Sequence, residues 1–275
     1  MDAQTPTLTP SLTARTFGLV FAVLCYVATN IGLVTMIVFV NDLYPPVASV
    51  SGPAVFGFLA AFAINLGLTL LWGVQHSLMA RGAFKRALAR VLPNSVERAL
   101  YCLASAAALV VVCLGWARIP GQLWSVESEA LRVVLSVAGA SGWLLLLAAT
   151  FEIGHFELFG LKQAWFAFRN RPMPRAPFQA RLIYGMVRHP IQTGLLMGMW
   201  LAPTMSASRA LFAAFMTFYM LVGLYFEERD LVRQFGDRYL RYVRDVPRLI
   251  PLPRGLAALL WGPARPELAS TAEQP

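Results

Sequence analysis

Charge is what this sequence has least of. Of its 275 residues only 13% are Asp, Glu, Lys or Arg, and 57% are hydrophobic, whereas soluble domains carry roughly 25% charge. With a mean hydropathy of +0.59, the chain has more apolar surface than a water-soluble globule of this size can bury, which excludes that class. Cysteine is equally sparse: Cys25, Cys102 and Cys113 all lie inside apolar runs, without a CxxC spacing or an even-numbered set. That excludes a disulfide scaffold and leaves them as inert helix residues. The three histidines, His76, His155 and His189, show no HxxxH or HxH spacing, so no metal is expected. Charges are missing from the middle of the apolar runs, where only Asn30, Asn65 and small polar residues interrupt, which argues against an ion or solute pathway. No inverted internal repeat is visible either. The first apolar stretch, from Phe17, lacks a strongly basic start and is too long for a signal-peptide core, so it is expected to remain as a span.

What is present is a succession of long apolar runs, and a run of about 18 or more residues with few charges is a candidate transmembrane helix. Spans are expected at 17–41, 53–79, 99–117 and 131–153. Asn41, Asp42 and the Pro45-Pro46 pair close the first. The run from Ile191 to Tyr225 is too long for one helix and is interrupted by Pro203, Ser206 and Ser208, so it predicts a hairpin with two arms of about 14 to 18 residues each. The expected fold is therefore all-α, a polytopic transmembrane bundle of about six spans. Residues 1–16 form an N-terminal tail, 17–153 a four-helix region, 154–254 a loop, hairpin and tail that make the functional core, and 255–275 a polar, proline-containing tail expected to be disordered.

The 23 basic residues outnumber the 14 acidic ones. With six spans and the N-terminus inside, only Arg118, Arg132 and Arg209 fall outside and the other twenty lie on the cytoplasmic side. The positive-inside rule thus sets the orientation, with both termini cytoplasmic. It also accounts for the basic pI without nucleic acid, since no basic stripe lies on a soluble module.

Three stretches could carry chemistry. In Tyr184-Gly-Met-Val-Arg-His-Pro-Ile-Gln-Thr-Gly194 a basic pair meets a proline where the fifth span begins. Proline at the first helical position leaves the next free N–H groups aimed at the boundary, and such a helix start, with Arg188 beside it, binds a carboxylate or phosphate. Arg188 and His189 as interfacial anchors are the alternative. The second stretch is Glu227-Glu228-Arg229-Asp230 at the end of the sixth span, followed by Phe235-Gly-Asp-Arg-Tyr239 and Tyr242. Carboxylates at a helix C-terminus oppose the helix dipole and need a partner. A cationic or hydroxyl-rich ligand would serve, as would Arg229, Arg233 or loop arginines. In the third stretch, Glu152 precedes His155-Phe-Glu-Leu-Phe-Gly160 by one helical turn, as either an acid–base pair or a structural hydrogen bond. His76 follows Gln75 near the end of the second span.

Arg-His-Pro-x-x-x-Gly, then Glu-Glu, then Phe-Gly-x-x-Tyr-x-x-Tyr-x-x-x-Val-Pro, over 180–251, resembles the isoprenylcysteine carboxyl methyltransferase superfamily of membrane methyltransferases. His155-Phe-Glu-Leu-Phe-Gly-Leu-Lys-Gln163 and Trp72-Gly-Val-Gln-His-Ser77 narrow the likeness to the bacterial methanethiol S-methyltransferases. The resemblance implies S-adenosylmethionine as methyl donor, held on the cytosolic side by the C-terminal hairpin and tail. Arg188, His189, the amides after Pro190, and Gly194 would face the methionine carboxylate, and Glu227, Glu228, Tyr239 and Tyr242 the amino group, ribose or adenine. It implies S-methylation of methanethiol to dimethyl sulfide in a bacterial inner membrane. The expected partners are a small thiol and the bilayer, with no nucleic acid and no obligate protein partner. His155 is the first candidate for the base that ionises the thiol, with His76 second and Glu152 beside His155. Trp72, Phe156, Phe159 and Trp200 could line an apolar pocket. The alternatives are a prenylcysteine carboxylate or lipid-like acceptor, or a non-enzymatic relative associated with denitrification.

Overall fold

A computed structural model describes residues 11–45, 48–174 and 180–251; the expected disordered tail at 255–275 lies outside them. Eleven helices and one two-stranded ribbon follow in order among the described residues. Five of the helices are long and apolar enough to cross a membrane: α1 (Leu12–Val40), α2 (Phe58–Ala80), α4 (Asn94–Gly115), α5 (Glu129–Ile153) and α10 (Ala207–Phe235). The short helix α3 (Gly82–Leu88) joins α2 to α4. This is the all-α polytopic bundle that the apolar runs predict.

The hairpin departs from its expected proportions. Its first arm, α9 (Pro190–Trp200), has 11 residues and its second, α10, has 29. At 1.5 Å per residue α9 is only about 16 Å long, half the hydrocarbon thickness. The chain completes the crossing in extended form, ending in strand β2 (Thr204–Ser206), which pairs antiparallel with β1 (Gln122–Ser125). Non-helical backbone at membrane depth survives only if its polar groups find partners inside the protein. Arg209, buried at the start of α10, donates from Nε to the Met199 carbonyl (3.1 Å) and from Nη2 to Gly198 (3.1 Å). Trp124 donates to the Ala202 carbonyl, and the Val126 N–H to Pro203. One of the three arginines expected outside is thus a buried cap for the interrupted helix.

The second arm runs longer than expected because nothing after Tyr225 breaks it. Good helix formers carry α10 about two turns past Glu228. It stops at Gly236, whose φ of 54° favours a residue without a side chain. Glu227 and Glu228 are therefore well inside α10, and their need for partners arises from packing rather than from the helix dipole.

Packing places α4 between α1 and α2, and α9 between α5 and α10, with α10 also against α2. The closest approach is α5 to α9. A Cβ built on Gly142 would stand 2.6 Å from the Gly194 carbonyl oxygen and 2.8 Å from the Gly198 nitrogen, so glycines on both helices bring the two backbones into contact. Across α2 and α4, Asn65 is fully buried and its amide both donates to the Ala117 carbonyl and accepts from the Ala117 N–H, each at 2.8 Å. Asn30 donates to the Tyr26 carbonyl one turn earlier in α1. Both mid-span amides are thus used structurally. Cys25, Cys102 and Cys113 are free and buried.

Short helices α6 (His155–Leu158), α7 (Leu161–Phe168), α8 (Leu182–Met186) and α11 (Asp237–Asp245) gather at one end of the bundle, beside the start of α9 and the end of α10. The β1–β2 ribbon closes the other.

Candidate functional site

The site is organised by Glu228, whose residue is 7% exposed. Its Oε1 accepts from Arg188 Nε (2.9 Å) and Nη2 (2.8 Å) and lies 3.0 Å from His189 Nε2, and its Oε2 is 3.4 Å from Arg248 Nε. The two strongest sequence motifs therefore meet one another. The anion-binding residues before α9 are held by the carboxylate of α10, and Arg248, which the motifs did not single out, joins them. A loop arginine between Pro247 and Leu249-Ile-Pro251 offers no signal that would have found it.

The C-terminal segment is tied to the same point through its backbone. Arg188 Nη1 donates to the carbonyls of Val243 (3.1 Å) and Val246 (2.6 Å), and the N–H groups of Arg188 and His189 donate to Pro247 and Arg248. Thr193 donates to the Leu249 carbonyl at 2.6 Å. Residues 243–249 thus clasp the start of α9. Pro190 sits at the first turn, fully buried. By helix geometry the amides of Ile191 and Gln192, ahead of the first helical bond from Thr193 N–H to the His189 carbonyl, have no partner within the helix.

Tyr239 and Tyr242 lie on the buried face of α11, with ring centroids 5.8 Å apart. Tyr242 donates its hydroxyl to the Tyr184 carbonyl at 2.5 Å, joining α11 to α8. Burial pushes the Tyr242 phenol up to about 12; the Arg188 guanidinium opposes this, while the Glu152 and Glu228 carboxylates add to it. Tyr184 is raised in the same way, first by burial and then by Glu227 and Glu152. Both phenols are hydrogen-bonding groups, not bases, at neutral pH.

Of the three candidate catalytic groups, only Glu152 joins this cluster. Its Oε2 accepts from the Ile183 N–H at 3.1 Å, and its Oε1 is buried with no hydrogen-bond partner among the described residues. Gly154, with φ of 109°, ends α5 and turns the chain, so His155 faces another way. His155 is buried between Thr150 and Tyr26: Nδ1 is 2.8 Å from Thr150 Oγ1 and Nε2 is 2.8 Å from the Tyr26 hydroxyl. Thr150 gives its single proton to the Leu147 carbonyl at 2.6 Å. Its oxygen must accept from Nδ1–H, which leaves Nε2 accepting from Tyr26. Phe151 stacks on the ring at 4.2 Å, and burial lowers the pKa below the usual imidazole value. His155 is neutral, with its one lone pair in use. The paired acid–base reading of Glu152 and His155 gives way to two separate roles.

His76 occupies a third place, between α2, α4 and α10. Its Nε2 is 2.8 Å from the Tyr101 hydroxyl and its Nδ1 is 3.0 Å from Ser105 Oγ. Trp72 stacks on it at 5.2 Å and Tyr219 meets it edge-on at 6.0 Å. Gly194, expected beside the cofactor, packs closely against α5: a Cβ there would meet the Gly142 oxygen and, at 2.7 Å, the Leu146 nitrogen. Glu227, one position round α10 from Glu228, is exposed and has no hydrogen bond or ion pair among the described residues. The expected apolar lining is divided: Trp72 is at His76, Phe156 and Phe159 are at His155, and Trp200 donates to Thr217.

Comparison with known proteins gives this arrangement its relatives. The model of the family described as NnrU protein matches residues 64–260. The chain is 45% identical over 193 residues to methanethiol S-methyltransferase of Mycobacterium tuberculosis, covering 70% of this chain and 79% of the relative. It is 40% identical over 239 residues to methanethiol S-methyltransferase 2 of Bradyrhizobium diazoefficiens, covering 86% and 91%. It is also 30% identical over 200 residues to Nurim of Xenopus laevis, covering 68% and 70%. No solved structure matches. The segment matched by the family contains the Arg188–Glu228 cluster, and the chain belongs to the NnrU protein family and is a relative of the methanethiol S-methyltransferases.

Proposed function

We propose that the chain is a membrane methyltransferase that converts methanethiol to dimethyl sulfide with S-adenosylmethionine as donor. The observation that carries this reading is the 40% identity to a methanethiol S-methyltransferase over nearly the whole of both chains. The cluster around Glu228 supports a donor site there: a clasped helix start with free amides beside Arg188 and His189 suits a carboxylate, and Glu227, Tyr239 and Tyr242 would face the rest of the donor. When bound, the donor supplies an electrophilic methyl group on a sulfonium for in-line displacement by sulfur. The protein's part is then to align the two and exclude water.

Most of the basic residues belong to segments joined to the end that carries the short helices, which by the positive-inside rule supports a cytoplasmic orientation of that end in a bacterial inner membrane. A small alkyl thiol ionises near or above the cysteine value of about 8.5, so a nearby base raises the reactive fraction. His76, held by the Tyr101 and Ser105 hydroxyls in an aromatic surround of Trp72 and Tyr219, is the base in this reading. His155 holds α6 to α1 and α5 and acts through position.

The test is headspace gas chromatography over membranes given S-adenosylmethionine and methanethiol. Dimethyl sulfide is expected from the wild type and not from an Arg188→Ala, His189→Ala double variant. Donor binding without product would send the acceptor toward larger molecules, and absence of both would overturn the reading. In the same assay His76→Gln is expected to lower turnover about 100-fold with unchanged binding of S-adenosylhomocysteine, the loss being smaller at high pH, where the thiol ionises unaided.

A further inference from the structure

The unpartnered oxygen of Glu152 marks a specific part of the donor site. One carboxylate oxygen is fixed by the Ile183 N–H at 3.1 Å, and the other is buried with no partner among the described residues. A buried acceptor left unpaired is costly, more so when charged, and such groups persist in native structures where a ligand satisfies them. The place is defined by covalent and hydrogen-bonded neighbours. Ile183 precedes Tyr184, whose carbonyl takes the Tyr242 hydroxyl, and Tyr242 lies on the α11 face whose backbone carbonyls Arg188 engages nearby. Glu227, a carboxylate without a hydrogen bond or ion pair among the described residues, acts on the same Tyr184 phenol. Glu228, by contrast, has both oxygens engaged by Arg188, His189 and Arg248.

A carboxylate with a buried, unpaired oxygen calls for a cation, and Glu227, near the same Tyr184, adds negative charge that Arg248 offsets only in part. The unpaired oxygen calls for an N–H or O–H donor. A sulfonium is a cation with no donor, and a ribose diol offers donors with no charge. An ammonium group is both. We propose that Glu152, with Glu227 at its side, binds the α-ammonium of the donor's amino-acid end, while Glu228 is a positioning residue that holds Arg188 and His189 for the carboxylate. This rests on the reading of the cofactor given above. It also moves the ammonium contact from the Glu-Glu pair alone to the end of α5, so both ends of one zwitterion are gripped by different helices.

Calorimetry on the detergent-solubilised full chain separates the possibilities. The ligands are S-adenosylhomocysteine and its analogue lacking the α-amino group, each against wild type and Glu152→Gln, whose amide still accepts from Ile183. Loss of the amino group is expected to weaken wild-type binding about 10- to 100-fold. Glu152→Gln should weaken S-adenosylhomocysteine by a similar factor and leave the deaminated analogue almost unaffected. Glu152→Asp, which keeps the charge, provides the same comparison with a smaller loss should the glutamine variant fail to fold. Equal weakening of both ligands by Glu152→Gln would overturn the assignment while leaving the cofactor in place. A wild type that binds S-adenosylhomocysteine in no measurable amount would instead overturn the cofactor itself.

Discussion

Glu228→Ala is expected to remove donor binding while the spans remain inserted. The carboxylate is the common partner of Arg188, His189 and Arg248, and it is buried with the first two, while Arg248 is partly exposed. Removing one member of a buried ion pair leaves uncompensated charge and costs about 3–5 kcal/mol, because the remaining ions keep their desolvation penalty. Here two guanidinium groups and an imidazole lose their acceptor together. Arg188 also carries the Val243 and Val246 carbonyls, so the clasp of residues 243–249 over the start of α9 should loosen. At about 1.4 kcal/mol per tenfold, the affinity for S-adenosylhomocysteine should fall by more than about 100-fold. Calorimetry measures this, and limited proteolysis should show new cleavage after α11. Binding within a few-fold of wild type would show that the cluster is only a structural anchor. Glu228→Gln should be milder, since the amide oxygen can still accept one bond from Arg188.

The second large effect is expected at Gly194. A methyl group there would press on the Gly142 carbonyl oxygen and the Leu146 nitrogen, and both are backbone atoms of α5 that can yield only if the helices separate. Close backbone contact replaces the hydrophobic effect as the source of helix association in a bilayer, so Gly194→Ala should destabilise the α5–α9 pair and move the start of α9 away from α10. The expected outcome is little folded protein in detergent, read as a lowered midpoint in a thermal aggregation assay. Gly223→Ala on α10, where a Cβ meets nothing within 4 Å, is the matching control and should leave the midpoint unchanged or raise it slightly. Equal behaviour of the two variants would refute the close-contact account.

Much of this protein is legible in its residues taken in order. The first four apolar runs predict four of the five long helices to within about five residues at their ends, because in a bilayer the helix is the only open-chain form that satisfies its own backbone. Arg188-His-Pro and Glu228 stand far apart in the sequence and do meet, since the hairpin brings a proline-led helix start and a carboxylate on its two arms together. The sequence does not reveal the lengths of those arms. A helix of 11 residues completed by extended chain depends on Arg209 reaching the Gly198 and Met199 carbonyls and on a ribbon to β1, about 80 residues earlier in the sequence.

The separation of Glu152 from His155 belongs to tertiary structure for the same reason. Their spacing suggests one face of one helix, but Gly154 ends α5 between them, and their partners, Ile183, Tyr26 and Thr150, come from three elements. Gly194 reads as part of a ligand motif, although its neighbour is α5. The sequence by itself determined the class, the spans and the residues that meet at the end of the bundle, because burial in lipid and local capping act on consecutive residues. Only the tertiary structure decided which of those residues are spent on one another and which carboxylate is left with a free oxygen, because hydrogen-bond satisfaction depends on groups that the chain brings together from a distance.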